Sequence, residues 1–188
     1  MKYKIFSACA AAAVIMAAAG CGQAGLDDEF VFGKNRISCA NETITIEVPF
    51  EMGIQGKMAD LAPKDLPKVN AEGHNPHMQI LVTGERAGGK TVEAQAEAAS
   101  AMMRGNPTVS GLKEERNAVR IGNTEGIRMT FVFTAAEKNR SSDLTVKEYI
   151  FPQNDTLWRV IYQYRTNDPV GKALTERVEG KIVQGATF

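Results

Sequence analysis

The second half of the chain consists of alternating apolar and polar stretches joined by very short turns. The alternation runs through residues 127–134 and again through residues 157–165. Turn-forming sequences flank these stretches, Asn123-Thr124-Glu125-Gly126 and Gln153-Asn154-Asp155-Thr156. Strands joined by such short links run antiparallel, because a parallel pair needs a crossover of a dozen or more residues. The sequence therefore predicts an antiparallel sheet, with one face of its last strand formed by Trp158, Val160, Tyr162 and Tyr164.

Two amphipathic helices are predicted beside these strands. The first spans residues 92–103 and is stopped at Gly105. The second begins with Asp168 as N-cap and Pro169 as its first residue, and Gly185 ends it. Each has one apolar stripe with which to cover the sheet. The stripes are Val92, Ala96, Ala99 and Met103 in the first helix and Val170, Leu174, Val178 and Ile182 in the second.

The first half of the chain adds further strand patterns and one long loop. A loop rich in glycine, proline and lysine is predicted over residues 51–76. The remaining strands are predicted at residues 37–39, 43–48, 78–82, 116–121 and 144–151. The expected fold class is thus α+β, an antiparallel β-sheet flanked by helices.

The first twenty residues have the layout of a secretory signal. Lys2 and Lys4 precede an uncharged stretch over residues 5–19. This stretch is shorter than the roughly 20 apolar residues that a membrane-spanning helix needs. The sequence Ala18-Ala19-Gly20-Cys21 that follows resembles a bacterial lipobox, although Ala18 stands where leucine is usual. The resemblance implies cleavage before Cys21 and attachment of lipid to its sulfur. The alternative is an ordinary secreted protein in which Cys21 is incidental.

These features divide the chain and change its charge. We expect a signal peptide at residues 1–20, a lipidated N-terminus and tether at 21–36, and one domain at 37–188. Removing the signal leaves 20 basic against 22 acidic side chains, which gives no reason to expect a nucleic-acid binder. Cys39 is then the one cysteine without a role, and we expect it to be a small buried residue on a strand rather than a reactive thiol.

The order of these pieces resembles the PsbP-like fold, found in the extrinsic photosystem II protein and in bacterial lipoproteins of the DcrB type. The resemblance covers residues 37–188 and implies a non-catalytic domain in an α/β/α sandwich around an antiparallel sheet. It transfers no functional residues. Where family members often have Gly-Trp after the early proline, this chain has Glu51-Met52-Gly53. The pieces that carry the resemblance are the strand at 43–48 running into Pro49, the strand–helix unit at 79–103, the turn at 122–126, the strand at 158–164 and the ending Gly185-Ala186-Thr187-Phe188.

One segment matches the P-loop pattern, Gly84-Glu85-Arg86-Ala87-Gly88-Gly89-Lys90-Thr91. In a P-loop the backbone amides hold phosphate, Lys90 would reach its outer oxygens and Thr91 would hold magnesium. The chain lacks the alternating strand–helix units that build the parallel sheet of such proteins. We therefore interpret the segment as a glycine-rich turn with Thr91 as a helix N-cap. A nucleotide-binding enzyme that uses residues 84–91 remains the alternative.

The two histidines of the chain, His74 and His77, lie three residues apart. They could share a zinc ion with Glu72 or Asp60 as a third ligand, but two ligands make no closed site. We favour a polar loop and keep a metal-binding lipoprotein as an alternative. Because both histidines lie in one loop, no triad or dyad is evident, and no catalytic residue, metal or cofactor is predicted.

The sequence therefore predicts an envelope-anchored lipoprotein with a non-catalytic binding or scaffolding domain. The lipid on Cys21 would hold it to the cell membrane or the outer membrane, with the domain outside the cytoplasm. An envelope protein is the expected kind of partner, and nucleic acid is not expected.

Overall fold

The computed structural model of the chain describes residues 25–53, 69–137 and 140–186. Within these ranges none of the helices has the length and hydrophobicity needed to cross a membrane. In chain order the elements are α1 (Leu26–Glu29), β1 (Gly33–Cys39), β2 (Glu42–Val48), β3 (Val69–His74), β4 (Met78–Arg86), α2 (Val92–Gly105), β5 (Val109–Ile121), β6 (Thr124–Glu137), β7 (Arg140–Gln153), β8 (Thr156–Arg165), α3 (Pro169–Val178) and β9 (Ile182–Ala186).

The larger of the two sheets has six strands in the order β3-β4-β8-β7-β6-β5, and every neighbouring pair is antiparallel. Two of its turns need a left-handed residue, supplied by Gly122 at φ +57° and Asn154 at φ +49°. The antiparallel arrangement predicted from the short turns is confirmed. Strands β5 and β7 are longer than predicted, because their polar halves pair without a clear alternation of burial.

Each face of the six-stranded sheet is covered by a different layer. On one face α2 covers Met129 and Phe131 of β6. On the other, α3 and the three-stranded sheet β1-β2-β9 cover the aromatic face of β8. That face is buried as predicted, through Trp158, Val160, Tyr162 and Tyr164. The α+β class is confirmed, whereas the helix-flanked sandwich is matched in part, since a second sheet shares one outer layer.

The last predicted helix is wrong over its second half. Helix α3 ends at Val178, and Gly180 at φ +71° turns the chain into β9, which pairs with β2. Val178 and Ile182 are both buried in the same core, so the four-residue spacing reflects burial that continues across a change of secondary structure. Gly185 lies within β9 rather than at the end of a helix.

The long loop predicted over residues 51–76 contains a strand. Strand β3 pairs with β4 through a turn at residues 75–77, and Gly53 forms a bridge with Glu72. The sequence of β3, Val-Asn-Ala-Glu-Gly-His, has one β-branched residue, so propensity and alternation gave little signal. Residues 54–68 of the predicted loop lie outside the described residues.

Residues 25–36, which fall within the predicted tether, contain α1 and the first part of β1. Leu26, Phe30 and Phe32 are partly buried and pack against the core. The guanidinium of Arg177 in α3 lies 4.8 Å from the ring centroid of Phe32 and 3.4 Å from a carboxylate oxygen of Asp27. The folded part of the chain therefore begins ahead of residue 37.

The alternation of β9 yields a stability test on two adjacent residues. Ile182 is 5% exposed and Val183 is 66% exposed. We expect Ile182→Ala to lower the free energy of unfolding by about 2–5 kcal/mol, because it removes buried methyl groups and leaves a cavity. The matched Val183→Ala change should cost less than about 0.5 kcal/mol. Urea unfolding checks both, and equal losses would contradict the assignment of β9.

Candidate functional site

Three connections meet at one end of the two sheets and line a polar cavity that is open to solvent. They are the β1–β2 turn, the end of β4 and the β7–β8 turn. The cavity has a volume of about 260 Å³ and is lined by residues 40–42, Arg86 and residues 154–156. We call it the turn cavity. Two of its residues, Ala40 at φ +51° and Asn154 at φ +49°, have the left-handed backbone that side chains other than glycine rarely adopt.

Gln153, the residue before the β7–β8 turn, joins the two sheets beside the turn cavity. Its side-chain oxygen accepts a hydrogen bond from the indole N–H of buried Trp158 at 3.1 Å. Its amide nitrogen donates to the carboxylate of Glu42 at 2.8 Å and to the carbonyl of Gly185 at 2.6 Å. One side chain thus links β7 and β8 to both β2 and β9. Sequence reasoning recognised Gln153 only as a turn residue.

The carboxylate of Glu42 is held by two amide side chains. Its Oε2 accepts from Gln153, and its Oε1 accepts from Asn154 Nδ2 at 2.7 Å. These bonds orient the Asn154 side chain, which belongs to the left-handed turn residue. Both carboxylate oxygens of Glu42 at this wall of the cavity therefore already accept a hydrogen bond from a neutral amide.

The segment that matches the P-loop pattern adjoins the turn cavity, and several of its groups are already bonded within the protein. The Gly84 N–H donates to Asn70 Oδ1 at 2.7 Å, and the Ala87 N–H donates to the Asp155 carbonyl at 2.7 Å. The Lys90 N–H donates to the Ala87 carbonyl at 2.7 Å, while its ammonium group contacts Glu85 Oε2 at 2.5 Å. The amides of Gly84, Ala87 and Lys90 are therefore not free to bind phosphate, and the sheet is antiparallel, which disfavours the nucleotide-binding alternative.

Thr91 is the N-cap of α2, as predicted. Its hydroxyl accepts a hydrogen bond from the Ala94 N–H at 3.1 Å. This bond satisfies one of the free amides of the first helical turn. The apolar stripe of α2 is also confirmed, with Ala96 and Ala99 buried and Val92 and Met103 partly buried.

The two histidines have different surroundings. His74 is exposed at the end of β3, whereas the ring of His77 lies in the β3–β4 turn with its Nδ1 2.9 Å from Asp168 Oδ2. Among the residues that the structure describes, no group of three or more His, Cys, Asp or Glu side chains is arranged to hold a metal ion. Asp60 lies outside those residues. His77 instead joins its turn to the N-terminus of α3.

Asp168 is the N-cap of α3, as predicted, and also binds His77. Its Oδ1 accepts from the N–H groups of Val170 and Gly171 at 3.0 Å each. Burial alone would raise the pKa of Asp168, but the hydrogen bonds from Gly171, His77 and Val170 and the charge of His77 outweigh it and lower the pKa below 3.8. The ionised form of Asp168 is thus favoured by folding.

A cluster of three polar side chains, largely shielded from solvent, lies at the C-terminal end of α3. Lys147 forms an ion pair with Glu179 at 2.8 Å, and the Tyr149 hydroxyl donates to Glu179 at 3.2 Å. Burial and the charge of Glu179 raise the pKa of Tyr149 to about 12. Burial also raises the pKa of Tyr162, whose ring stands edge-on to Tyr149 at 5.8 Å. These contacts fasten α3 to the sheet.

A larger groove of about 450 Å³ lies between the end of α2 and the β-bulge of β5. Its apolar wall is formed by Met103, Val109 and Leu112. The charges on its rim, Arg104 and Glu114, pair with each other at 2.9 Å. The Oε1 atom of Glu114 also accepts a hydrogen bond from the Ser100 hydroxyl at 2.5 Å. The charged side chains of this groove are therefore paired within the protein.

Cys39 lies on β1, where it is partly buried beside Gly84. Burial raises the pKa of its thiol, a hydrogen bond with Asn70 opposes the rise, and the charge of Glu85 adds to it. A raised pKa disfavours the thiolate, in agreement with the predicted unreactive residue on a strand, but Cys39 is only partly buried where the prediction had it buried. Cys21, the predicted lipid attachment site, lies outside the described residues.

We expect Gly84→Ala to lower the free energy of unfolding by about 1–3 kcal/mol. A methyl group at Gly84 would lie 2.8 Å from the Trp158 ring and 2.8 Å from Cys39 Cβ. Gly33→Ala is the control, since a methyl group there meets nothing within 4 Å. Chemical denaturation measures both, and an unchanged midpoint for Gly84→Ala would show that glycine is not required by packing.

The lowered pKa of Asp168 predicts a pH-dependent contribution to stability. The stabilisation is complete above the unfolded-state value of 3.8 and is lost as pH falls through the lower folded-state pKa. We expect Asp168→Ala to cost about 0.5–2 kcal/mol near neutral pH, and the gap from the wild type to close in acid. Asp27→Ala, at a side chain that is 71% exposed, is the control. A gap that stays constant between neutral pH and acid would refute the assignment.

No family model matches the chain, and no curated protein matches it. The solved structures that resemble it weakly include the following two. One is PA94, a Pseudomonas aeruginosa protein of unknown function, with a TM-score of 0.39, 11% identity and coverage of 73% of this chain and 85% of that one. The other is LpqN of Mycobacterium tuberculosis, involved in cell envelope biogenesis, with a TM-score of 0.45, 10% identity and coverage of 87% and 97%. Likeness at this level assigns neither family nor function.

Proposed function

We propose that this protein is an envelope lipoprotein whose folded domain acts by binding outside the cytoplasm. The observation that carries the proposal is the sequence Ala18-Ala19-Gly20-Cys21 at the end of an apolar stretch preceded by Lys2 and Lys4. These residues lie outside the described part of the chain. A PsbP-like identity of the domain belongs to the same proposal and rests on the order of strands, turns and helices.

The start of the folded domain supports a short anchor. Helix α1 begins at Leu26, five residues after Cys21, and an extended chain of that length spans at most roughly 18 Å. Leu26, Phe30 and Phe32 fix the beginning of the chain to the core beside α3. A lipid on Cys21 would therefore hold the α1 and α3 side of the domain close to the membrane.

The turn cavity supports binding rather than catalysis. Its charged lining residues are the carboxylates Glu42 and Asp155 and the guanidinium of Arg86. Such groups recognise a charged ligand through ion pairs and hydrogen bonds. The His77 side chain, a potential general base, is instead paired with Asp168 at the N-terminus of α3. We infer that the domain holds a ligand or partner without altering it.

Metabolic labelling with palmitate in a bacterial host tests the anchor. We expect the wild type to incorporate the label and Cys21→Ala to lose it, because the lipid is attached through that sulfur. Cys39→Ala is the matched control and should stay labelled, since Cys39 lies on β1 within the domain. Unchanged labelling of Cys21→Ala would overturn the proposal and favour an ordinary secreted protein.

A further inference from the structure

We propose that the turn cavity binds a small zwitterion of the α-amino-acid type. Its carboxylate would bind the Arg86 guanidinium, and its ammonium group would bind the Asp155 carboxylate. This inference names a ligand class for the binding role proposed above and rests on that role. It does not depend on the lipid anchor.

Arg86, at the end of β4, and Asp155, in the β7–β8 turn, are exposed opposite charges that do not pair with each other. Arg86 lies directly across from Thr156 in the β4–β8 ladder, so the adjacent residue Asp155 is close to it. Within the described part of the chain, neither side chain forms an ion pair or a hydrogen bond. Both line the same cavity. A ligand that carries both charges satisfies the two groups at once.

The charge of the lining residues distinguishes a zwitterion from an anion. Glu42 and Asp155 contribute two negative charges and Arg86 contributes one positive charge. Glu42 is already held by Gln153 and Asn154, so Asp155 is the carboxylate with free acceptor oxygens. The net negative charge repels a simple anion and attracts an ammonium group. A carboxylate on the same molecule then forms a charge-assisted hydrogen-bonded pair with the planar guanidinium of Arg86.

The size and rigidity of the turn cavity suit a small ligand. A volume of about 260 Å³ lies below the range typical of drug-sized sites, roughly 300–1,000 Å³. The walls are fixed in advance by the Glu42 hydrogen bonds and by the Ala87 N–H, which donates to the Asp155 carbonyl at 2.7 Å. The left-handed backbone at Ala40 is the kind of local cost that recurs at binding sites.

The groove beside α2 provides an internal comparison. It is larger, but its rim charges Arg104 and Glu114 already pair with each other. A charged ligand there would have to displace an existing ion pair. The turn cavity requires no such displacement.

Binding can be tested by NMR on the full chain purified in detergent, with alanine as the probe. Propionate and ethylamine serve as matched probes that lack the ammonium group and the carboxylate, respectively. We expect alanine to shift the amide signals of residues 40–42, 86–87 and 154–156. Each single-charge probe should bind about ten-fold more weakly or more, because it loses one charge-assisted contact.

Two charge-removing variants locate the ligand. Arg86→Gln and Asp155→Asn should each weaken alanine binding by about ten-fold. Arg120→Gln on β5 and Asp143→Asn on β7 remove charges elsewhere and should bind alanine like the wild type. Matching thermal melts show that all four variants remain folded.

The inference is overturned if alanine produces no localised shifts, if either single-charge probe binds as well as alanine, or if both cavity variants bind alanine normally. A normal palmitate label together with any of these results rejects the zwitterion site and leaves the anchored lipoprotein standing. If Cys21→Ala keeps its palmitate label while alanine still binds at the cavity, the anchor is rejected and the zwitterion site stands.

Discussion

The burial of Trp158 between the two sheets is the constraint on which the rest of the structure depends. Trp158 is the single tryptophan of the chain and is fully buried. Its ring leaves no space for a side chain at position 84, and its indole N–H must find an acceptor in the core. The Gln153 side-chain oxygen is the acceptor, and its amide nitrogen donates to Glu42 and to Gly185 in the smaller sheet. One buried ring thus fixes a strand, a turn and the contact between the two sheets.

The same network shapes the candidate site. Because Gln153 and Asn154 hold Glu42, the β1–β2 turn and the β7–β8 turn are kept at a set distance around the turn cavity. Arg86 reaches that cavity because β4 pairs with β8 along its whole length. The charges that could recognise a ligand therefore come from three separate parts of the chain. An anchor at Cys21 would place this preformed site outside the cytoplasm.

Local patterns predicted much of this fold, and long-range contacts account for what they missed. Alternation and short turns predicted the antiparallel strands around Trp158, and capping chemistry predicted Thr91 and Asp168 as N-caps. Strand β9 was missed because the spacing of Val178 and Ile182 also suits a helix, and only its pairing with β2 decides otherwise. The turn cavity could not be predicted from local sequence. Arg86 belongs to a segment that matches the P-loop pattern, and the other residues that line the cavity lie far from it in the sequence.

Urea unfolding of Gln153→Ala, followed by both Trp158 fluorescence and far-UV circular dichroism, tests most directly whether the two sheets are held together through Trp158. The single tryptophan makes the fluorescence specific to the contact between them. We expect both signals to shift together to a lower midpoint, with a loss of about 1–3 kcal/mol, because the indole N–H loses its acceptor and Glu42 loses a donor. An unchanged midpoint, or a fluorescence transition that separates from the circular dichroism transition in the wild type, would show that the two sheets are not held together through Trp158.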